Sequence, residues 1–149
     1  MDRTLVIIKP DAVQRGLTGR IVTRLEDRGL RIVALHLTMI SNIKAQALYA
    51  VHEGKSFYPG LMKYMTSSPV VLAVLEGRRA VELVRKTMGA TDPLDASPGS
   101  VRGDWGHEVG RNLIHGSDSP ENAAQEISIF FDEKDLLEYR RDIDRWVFE

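Results

Sequence analysis

The chain contains no cysteine, and this absence excludes several kinds of chemistry. Disulfide bonds, thiolate nucleophiles and cysteine-bound metal sites are all impossible. No hydrophobic run approaches the roughly 20 residues that a membrane-spanning helix needs. The opening stretch "MDRTLVIIKP" is too short and wrongly flanked for a signal peptide. Together these features predict a cytoplasmic protein.

The chain also has no excess of positive or negative charge. Twenty basic and 21 acidic residues leave a formal net charge of −1. A balanced chain has no general attraction for nucleic acid or membranes, so an anion site must be built from local cations. The P-loop, G-x-G-x-x-G, H-E-x-x-H and G-x-S-x-G motifs are absent, and the four histidines lack the paired spacing of a zinc site. We therefore expect neither a membrane nor a nucleic-acid partner, and no metal site made by protein residues.

What is present predicts one domain spanning residues 1–149. The apolar runs "LVII", "RIVALHLTM", "PVVLAVLEG" and "EISIFF" predict four strands. In the second run, one face is more apolar and is expected to be better buried, namely Val33, Leu35, Leu37 and Met39. Helical stripes follow the first and third runs, at Leu17, Ile21 and Leu25 and at Val81, Val84 and Met88. This order predicts an α/β (α+β) fold of the ferredoxin-like β-α-β-β-α-β type, an antiparallel four-stranded sheet with helices on one face.

A long segment without periodicity runs from Gly89 to about Gly116 and contains six glycines and two prolines. Structureless loops of this length are uncommon in compact domains and usually functional. Just beyond it, Ser119 and Pro120 predict the start of a helix. The tail to Glu149 is expected to be partly helical, with Trp146, Val147 and Phe148 packed back on the domain.

His115, in "NLIHGSDS" after this glycine-rich segment, is a candidate nucleophile. A neutral imidazole carries a free lone pair at neutral pH, provided that an acceptor holds its other nitrogen. Glu126 is a candidate acceptor, although eleven residues of separation cannot show contact. The alternative is an ordinary polar residue in a capped turn.

A phosphoryl group is the natural electrophile for such a histidine, because Lys9, Arg85 and Arg102 could neutralise its charge. Lys9 has the best local context, since it ends a buried strand. The two arginines could equally be solvated surface residues. Phe57 could stack on a base or pack in the core.

Several stretches, taken together, resemble one family. "NLIHGSDS" is similar to the active-site segment of nucleoside diphosphate kinases, and "IIKPDAVQRG" resembles their first strand and following turn. "FYPGLMKYM" resembles the nucleotide-clamping helix, and "GATDP" and "SVRGD" the phosphate-binding loop. The resemblance covers essentially all of the chain with almost no insertion. Five motifs in the right order are far more specific than any one of them.

The resemblance implies a role for each matching residue. His115 would take the γ-phosphate of a nucleoside triphosphate as a phosphohistidine and pass it to a diphosphate, in a ping-pong mechanism. Glu126 would hold the imidazole, supported by Ser117. Lys9 and Tyr49 would lie near the transferred phosphate, with Lys9 also reaching the sugar. The remaining nucleotide contacts would be Arg85, Thr91 and Arg102 for the other phosphates, Asn112 for the ribose, and Phe57 and Val109 around the base.

The resemblance also implies a cofactor, partners and an assembly. Mg²⁺ would bridge the nucleotide phosphates, without a cage of protein ligands. The partners would be nucleoside triphosphates and diphosphates, including ATP and GTP, with broad tolerance of the base. The chain would form a homo-hexamer, with a homo-tetramer as the alternative.

Two other hypotheses belong to different classes of protein. The first is a non-catalytic ferredoxin-like module that binds nucleic acid on its sheet. Such a module needs aromatic residues on a central strand and a basic face, and "LVII" and "VVLAVL" carry no aromatic residue. The second is an inactive homologue used only for interactions, which the presence of all the expected nucleotide contacts disfavours.

Overall fold

Four antiparallel strands form the sheet in a computed structural model that describes every residue from Met1 to Glu149. They are β1 (Asp2–Ile8), β2 (Arg31–Thr38), β3 (Val70–Gly77) and β4 (Ile114–Gly116). Their spatial order is β2-β3-β1-β4, and β3 pairs with both β1 and β2. This arrangement confirms the predicted ferredoxin-like sheet. The middle strands β1 and β3 are almost wholly buried, as their continuous apolar runs predict.

The connections contain eight α-helices and two short 3₁₀ turns. None of the helices is long and apolar enough to cross a membrane. The helices are α1 (Pro10–Gln14), α2 (Thr18–Asp27), α3 (Asn42–Leu48), α4 (Tyr58–Met65), α5 (Ala80–Met88), α6 (Val101–Trp105), α7 (Pro120–Phe130) and α8 (Asp144–Val147), and the 3₁₀ turns are Ala50–His52 and Glu133–Asp135.

Helices cover both faces of the sheet, so the prediction of one covered face was wrong. Successive residues of a strand point to opposite faces. Val6 and Ile8 of β1 therefore pack in one core with α2 and α5, whereas Leu5 and Ile7 pack in a second core with residues of α3, α4 and α7. The helices between β2 and β3 build this second core, and the site described below lies on the same side.

The prediction of a last strand at "EISIFF" was also wrong. All of these residues except Phe131, which follows the helix, belong to α7, whose N-cap Ser119 accepts a hydrogen bond from the backbone N–H of Asn122 at 3.1 Å. Ala123 and Ile127, spaced one helical turn apart, are the buried residues of α7. The fourth strand is instead β4, inside the segment predicted to be structureless, which also contains α6.

The edge strand β2 exposes most of the face that was expected to be buried. Val33 is buried, but Leu35, Leu37 and Met39 are more than half exposed. A shift in the β2–β3 register between Ile32 and Ala34 breaks the simple alternation at this point. An apolar stripe is therefore left on the open edge of the sheet.

The tail follows the other half of this edge. The N–H of Leu137 donates to the carbonyl of Val33 at 3.0 Å, and Arg141 donates to the carbonyls of Gly29 and Leu30. Val147 lies so close to Gly29 that a Cβ there would be 2.4 Å from its Cγ1. Trp146, in contrast, is 80% exposed, so its predicted packing on the domain was wrong.

Candidate active site

His115 lies in the middle of β4, opposite Ile7 of β1, and faces the side of the sheet that α7 covers. Its Nε2 is 2.7 Å from Oε1 of Glu126 on α7. The sheet and the helix thus bring together two residues whose contact the sequence could not show. Nδ1 has no hydrogen-bond partner within the chain, and the side chain is partly exposed. A carboxylate on Nε2 selects the tautomer in which Nε2 carries the proton and Nδ1 keeps the lone pair.

The neighbours of His115 fix the position of its strand. Gly116 points to the opposite face, where α5 lies against the sheet. A Cβ on Gly116 would be 2.5 Å from Sδ of Met88, so any larger residue would push β4 and α5 apart. Glycine here lets the helix approach the strand that carries His115.

Glu126 is itself held by a buried hydroxyl. Ser117 Oγ donates to Glu126 Oε1 at 3.3 Å and accepts the N–H of Leu5 at 3.3 Å. Tyr49, 6% exposed, has a buried hydroxyl without a partner in the chain. Burial, and then the nearby Glu126 carboxylate, raise the pKa of Tyr49 well above its ordinary value. The tyrosine hydroxyl therefore remains a proton donor throughout the physiological range.

A strained turn precedes the histidine. Leu113 is fully buried with φ of 75°, a backbone conformation that leucine rarely adopts. The N–H of Ile114 donates to the carbonyl of Asn112 at 2.9 Å, which closes a γ-turn around Leu113. The carbonyl of Leu113 accepts the N–H of Lys9 at 2.8 Å. This turn anchors the loop to the end of β1, next to the lysine predicted to bind phosphate.

Arg102 is the centre of the residues predicted to bind phosphate and is only 5% exposed. Its guanidinium donates to the carbonyls of Asn112 at 3.1 Å, Gly89 at 3.1 Å and Ile114 at 2.6 Å. The Asn112 amide accepts a hydrogen bond from Lys9 Nζ at 2.8 Å and donates to the Thr91 carbonyl at 3.0 Å. The structure thus joins Lys9, Arg102, Asn112 and Thr91, and the alternative of a solvated Arg102 is wrong.

No carboxylate forms an ion pair with Lys9, Arg85 or Arg102. Burial, and then repulsion by Arg102, lower the pKa of Lys9 to about 8, against an opposing effect of Asp11. Burial, and then repulsion by Arg85, lower the pKa of Arg102 to about 10. Arg85 itself is exposed and reaches the carbonyl of Gly116 at 3.4 Å. Cations held by carbonyl and amide groups alone are suited to an anionic ligand that supplies the missing charge.

Phe57 and Val109 are not part of these hydrogen-bonded groups. They are 51% and 50% exposed, so Phe57 is not the core residue that the alternative proposed. The ring of His52 packs edge-on against Phe57 at 5.2 Å between centroids. Both residues are free to contact a planar ligand.

A cavity of about 690 Å³ lies along α5 and shares only Arg85 with the predicted site. Two of its other cations, Arg79 and Lys86, share the carboxylate of Glu82. Lys9 and Arg102, in contrast, have no carboxylate within ion-pair distance.

Asp11 and Tyr64 are the residues that the sequence analysis missed. The Tyr64 hydroxyl, on α4, donates a hydrogen bond to Asp11 Oδ1. The one sequence signal for them was an acidic residue in the first turn after Lys9-Pro10, which is also common at ordinary helix starts.

A histidine with one nitrogen held by a carboxylate, next to cations without ion-pair partners, is an arrangement suited to the class of phosphoryl-transfer enzymes. The family model for nucleoside diphosphate kinase matches residues 2–136. The chain is 56% identical over 147 residues to the nucleoside diphosphate kinase of Thermomicrobium roseum, with 99% of each chain covered. It is 52% identical to that of a Roseiflexus species, with 100% of each covered. It also resembles a halophilic nucleoside diphosphate kinase from Halobacterium salinarum in complex with CDP, with a TM-score of 0.97, 49% identity and 100% of both chains covered.

The chain belongs to the nucleoside diphosphate kinase family. Its activity is that of a nucleoside-diphosphate kinase, a phosphotransferase that binds nucleotides. None of these similarities supports the alternative of a non-catalytic nucleic-acid-binding module. Nucleotide kinases generally need a divalent metal. No group of three or more histidine or acidic side chains in the structure could hold one, so the donor set suits a metal that arrives on the phosphates.

Proposed function

We propose that His115 is the nucleophile of a ping-pong phosphoryl transfer. The lone pair of Nδ1 attacks the γ-phosphorus, and the bond from that phosphorus to the bridging oxygen breaks. The electron pair leaves with the nucleoside diphosphate. A second diphosphate then attacks the phosphohistidine and restores the free ring. The observation that carries this proposal is the 2.7 Å contact between Nε2 and Glu126, because it leaves Nδ1 as the free nitrogen.

We infer that Glu126, Ser117 and Tyr49 support the reacting ring and phosphate. Glu126 stabilises the positive charge that develops on the imidazole, and Ser117 keeps the carboxylate in place. Tyr49 donates its unpartnered hydroxyl to an oxygen of the transferred phosphate. Its burial beside Glu126 supports this role, since a buried hydroxyl without a partner is costly unless a ligand satisfies it.

The cations and Asn112 are proposed to bind the rest of the nucleotide. Lys9 contacts the γ-phosphate and reaches the sugar, and Asn112 binds the ribose. The other phosphates contact Arg85, Thr91 and Arg102. The absence of ion pairs at these cations supports the proposal, because a bound polyphosphate offsets their mutual repulsion.

The base is proposed to lie between Phe57 and Val109. Both are exposed and apolar, and neither can hydrogen-bond to the edge of a base through its side chain. Contact through the faces of a base discriminates weakly, so we infer broad tolerance among the bases. ATP, GTP and other nucleoside triphosphates and diphosphates are then all substrates.

Mg²⁺ is the proposed metal. When bound to the phosphates it neutralises their charge and fixes their geometry for in-line transfer. The site residues fit this arrangement, because Lys9, Arg85 and Arg102 would bind the phosphates and no group of three or more histidine or acidic side chains forms a metal cage.

A homo-hexamer is the proposed assembly, with a homo-tetramer as the alternative. The exposed stripe Leu35, Leu37 and Met39 on an edge strand supports self-association, because an open apolar edge is ordinarily covered. We also infer that residues 1–149 form one domain, since Arg141 of the tail donates to carbonyls in the turn after α2. A cytoplasmic location is proposed because that compartment holds the nucleotide pools it would use.

The test is transfer of label from γ-³²P-ATP to the protein in the presence of Mg²⁺. We expect stable labelling in base and loss of label in acid, and complete discharge when any nucleoside diphosphate is added. His115→Gln is the control, because it keeps a polar side chain without the nucleophilic nitrogen. Equal labelling of this variant would move the nucleophile to another residue, and no labelling of the folded wild-type protein would reject the mechanism.

A further inference from the structure

Asp11 is a partly buried carboxylate that the proposed mechanism does not use. It lies two residues after Lys9, in the first turn of α1. Its Oδ1 accepts a hydrogen bond from the Tyr64 hydroxyl, and its N–H donates to the same hydroxyl oxygen at 3.3 Å. Its other oxygen, Oδ2, is buried and has no donor in the chain. One oxygen is thus fixed by α4, and the other has no partner.

A series of contacts links Asp11 to Lys9 through Asn112, Arg111 and Tyr64. Lys9 Nζ donates to Asn112 at 2.8 Å. Arg111, the residue before Asn112, places its guanidinium 4.1 Å from the centroid of the Tyr64 ring. Tyr64 then holds the carboxylate of Asp11, which the chain joins to Lys9 through Pro10. These contacts restrain one another, so Tyr64 holds the Asp11 carboxylate in one position, two residues along the chain from Lys9.

The charged groups around Lys9 come from two elements. Arg102 of α6 repels its ammonium and Asp11 of α1 attracts it, while Asn112 contributes only a neutral amide. Tyr64 of α4 bonds to Asp11, and Arg111 lies over the ring of Tyr64. We propose that Asp11 is a positioning residue, whose carboxylate, held by Tyr64, is the counter-charge for Lys9 beside Arg102. This inference rests on the proposed role of Lys9 in binding phosphate.

The proposed effect of Asp11 on the charge of Lys9 can be measured at mildly alkaline pH. Burial and Arg102 lower the pKa of Lys9 to about 8, and Asp11 acts in the opposite direction. Removal of the carboxylate therefore deprotonates Lys9 at a lower pH, and a neutral lysine attracts phosphate far less. An aspartate that only stabilises the first turn of a helix would not change the titration of Lys9.

The test is a direct titration of Lys9 by ¹³C NMR of the lysine side chains. The chain has only six lysines, and Lys9→Arg identifies the signal of interest. Asp11→Asn keeps an acceptor for Tyr64 and removes the charge. We expect its Lys9 midpoint to fall by about one pH unit. The alkaline limb of kcat/KM is expected to move by the same amount. Asp27→Asn, an exposed aspartate at the end of α2, is the matched control and should leave both unchanged.

Tyr64→Phe is the second variant, and the same titration can be made on it if Asp11→Asn does not fold. It keeps the charge but frees the carboxylate to turn towards solvent, so a smaller fall of the Lys9 midpoint is expected. A midpoint that stays at the wild-type pH in the folded variants overturns the proposal. Lys9→Ala tests the role of Lys9 in binding phosphate separately from the role of Asp11. Full activity of that variant would remove Lys9 from the phosphate site, whereas the titration would still report whether Asp11 sets its charge.

Discussion

Partly buried cations lie near both ends of strand β1. At only one of these ends do they form ion pairs with a carboxylate. At the first end, Arg3 of β1 and Arg31 of β2 both bond to Glu76 of β3. At the other end, Lys9 and Arg102 are held by carbonyl and amide groups and repel each other. One cluster has its counter-charge within the chain, whereas the other is proposed to receive it from a bound anion.

The pKa values express the same difference. Burial works to raise the pKa of Glu76, but the hydrogen bonds and charges of Arg31 and Arg3 outweigh it and hold that pKa below its ordinary value. At the other end, burial and like charges lower the pKa of both cations. We conclude that Arg3, Glu76 and Arg31 serve stability, and we propose that the residues around Lys9 are arranged for a ligand at some cost to the free protein.

The largest expected effect is the loss of turnover in His115→Ala. This variant removes the proposed nucleophile from the ligand-binding end of β1, so kcat is expected to fall by roughly 10⁴-fold or more. Nucleotide affinity and the free energy of unfolding should change little, because His115 is partly exposed and makes its side-chain contact with Glu126 alone. Calorimetric binding of ADP and steady-state assays measure the two quantities separately. If the variant retained turnover, His115 would not be the nucleophile, and the proposed functional difference between the two ends of β1 would lose its main support.

Glu76→Gln is expected to have the largest effect on stability. It leaves Arg3 and Arg31 without their shared charge, and breaking such a pair costs about 3 kcal/mol of unfolding free energy. Urea denaturation measures this loss, while kcat/KM of the folded variant should match the wild type. Glu82→Gln is the matched control, since its pairs with Arg79 and Lys86 are exposed and worth little.

The Arg3–Glu76–Arg31 cluster should make the stability of the protein depend on pH in the acid range. Because the folded pKa of Glu76 lies below its ordinary value of 4.5, its stabilisation is complete above that value. It is lost as the pH falls from there through the folded pKa. Urea denaturation of the wild type and Glu76→Gln should therefore show the full difference in stability at neutral pH and a shrinking difference as the pH falls below 4.5. A difference that stays constant as the pH falls would assign the loss to hydrogen bonding instead of charge.

The sequence predicted the architecture better than the details of the site. Continuous apolar runs located β1 and β3 because strands buried on both faces need no alternation. "EISIFF" was mistaken for a strand because its β-branched and aromatic residues also fit a helix in which Ala123 and Ile127 are buried one turn apart. The three-residue β4 is too short to show a period of its own.

The chemistry of the site was predicted through its resemblance to a family, and physical arguments alone left each residue ambiguous. No sequence rule shows that Glu126 reaches His115 across eleven positions, or that Arg102 is buried. The positive φ of Leu113 is equally hidden, since leucine is not a residue that favours it. Asp11 was missed because its significance comes from Tyr64, a partner 53 positions away.

If Lys9 binds phosphate as proposed, nucleotide affinity is expected to fall at alkaline pH. It is charged below its pKa of about 8 and neutral above it, so affinity for ADP is full at pH 7. Affinity should fall by up to tenfold for each pH unit above 8. Stability should show the opposite trend, because the cost of a buried charge disappears as Lys9 loses its proton between pH 8 and its ordinary value of 10.5. Calorimetry from pH 7 to 9.5 measures the affinity, with Lys9→Arg as a control that stays charged. A flat wild-type profile would mean that the lysine keeps its charge beside Arg102.

The smallest effect is expected at the apolar part of the site. Phe57→Ala removes an exposed ring that no other site residue needs, so KM should rise about tenfold while kcat and stability stay unchanged. The rise should be similar for ADP, GDP, CDP and UDP, because every base has a face that can stack. Higher salt should weaken nucleotide binding equally in the wild type and Phe57→Ala, since the salt-dependent part comes from Lys9, Arg85 and Arg102. A base-dependent loss in the variant would show that Phe57 selects among nucleotides, and the ligand-binding end of β1 would then read the base as well as the phosphates.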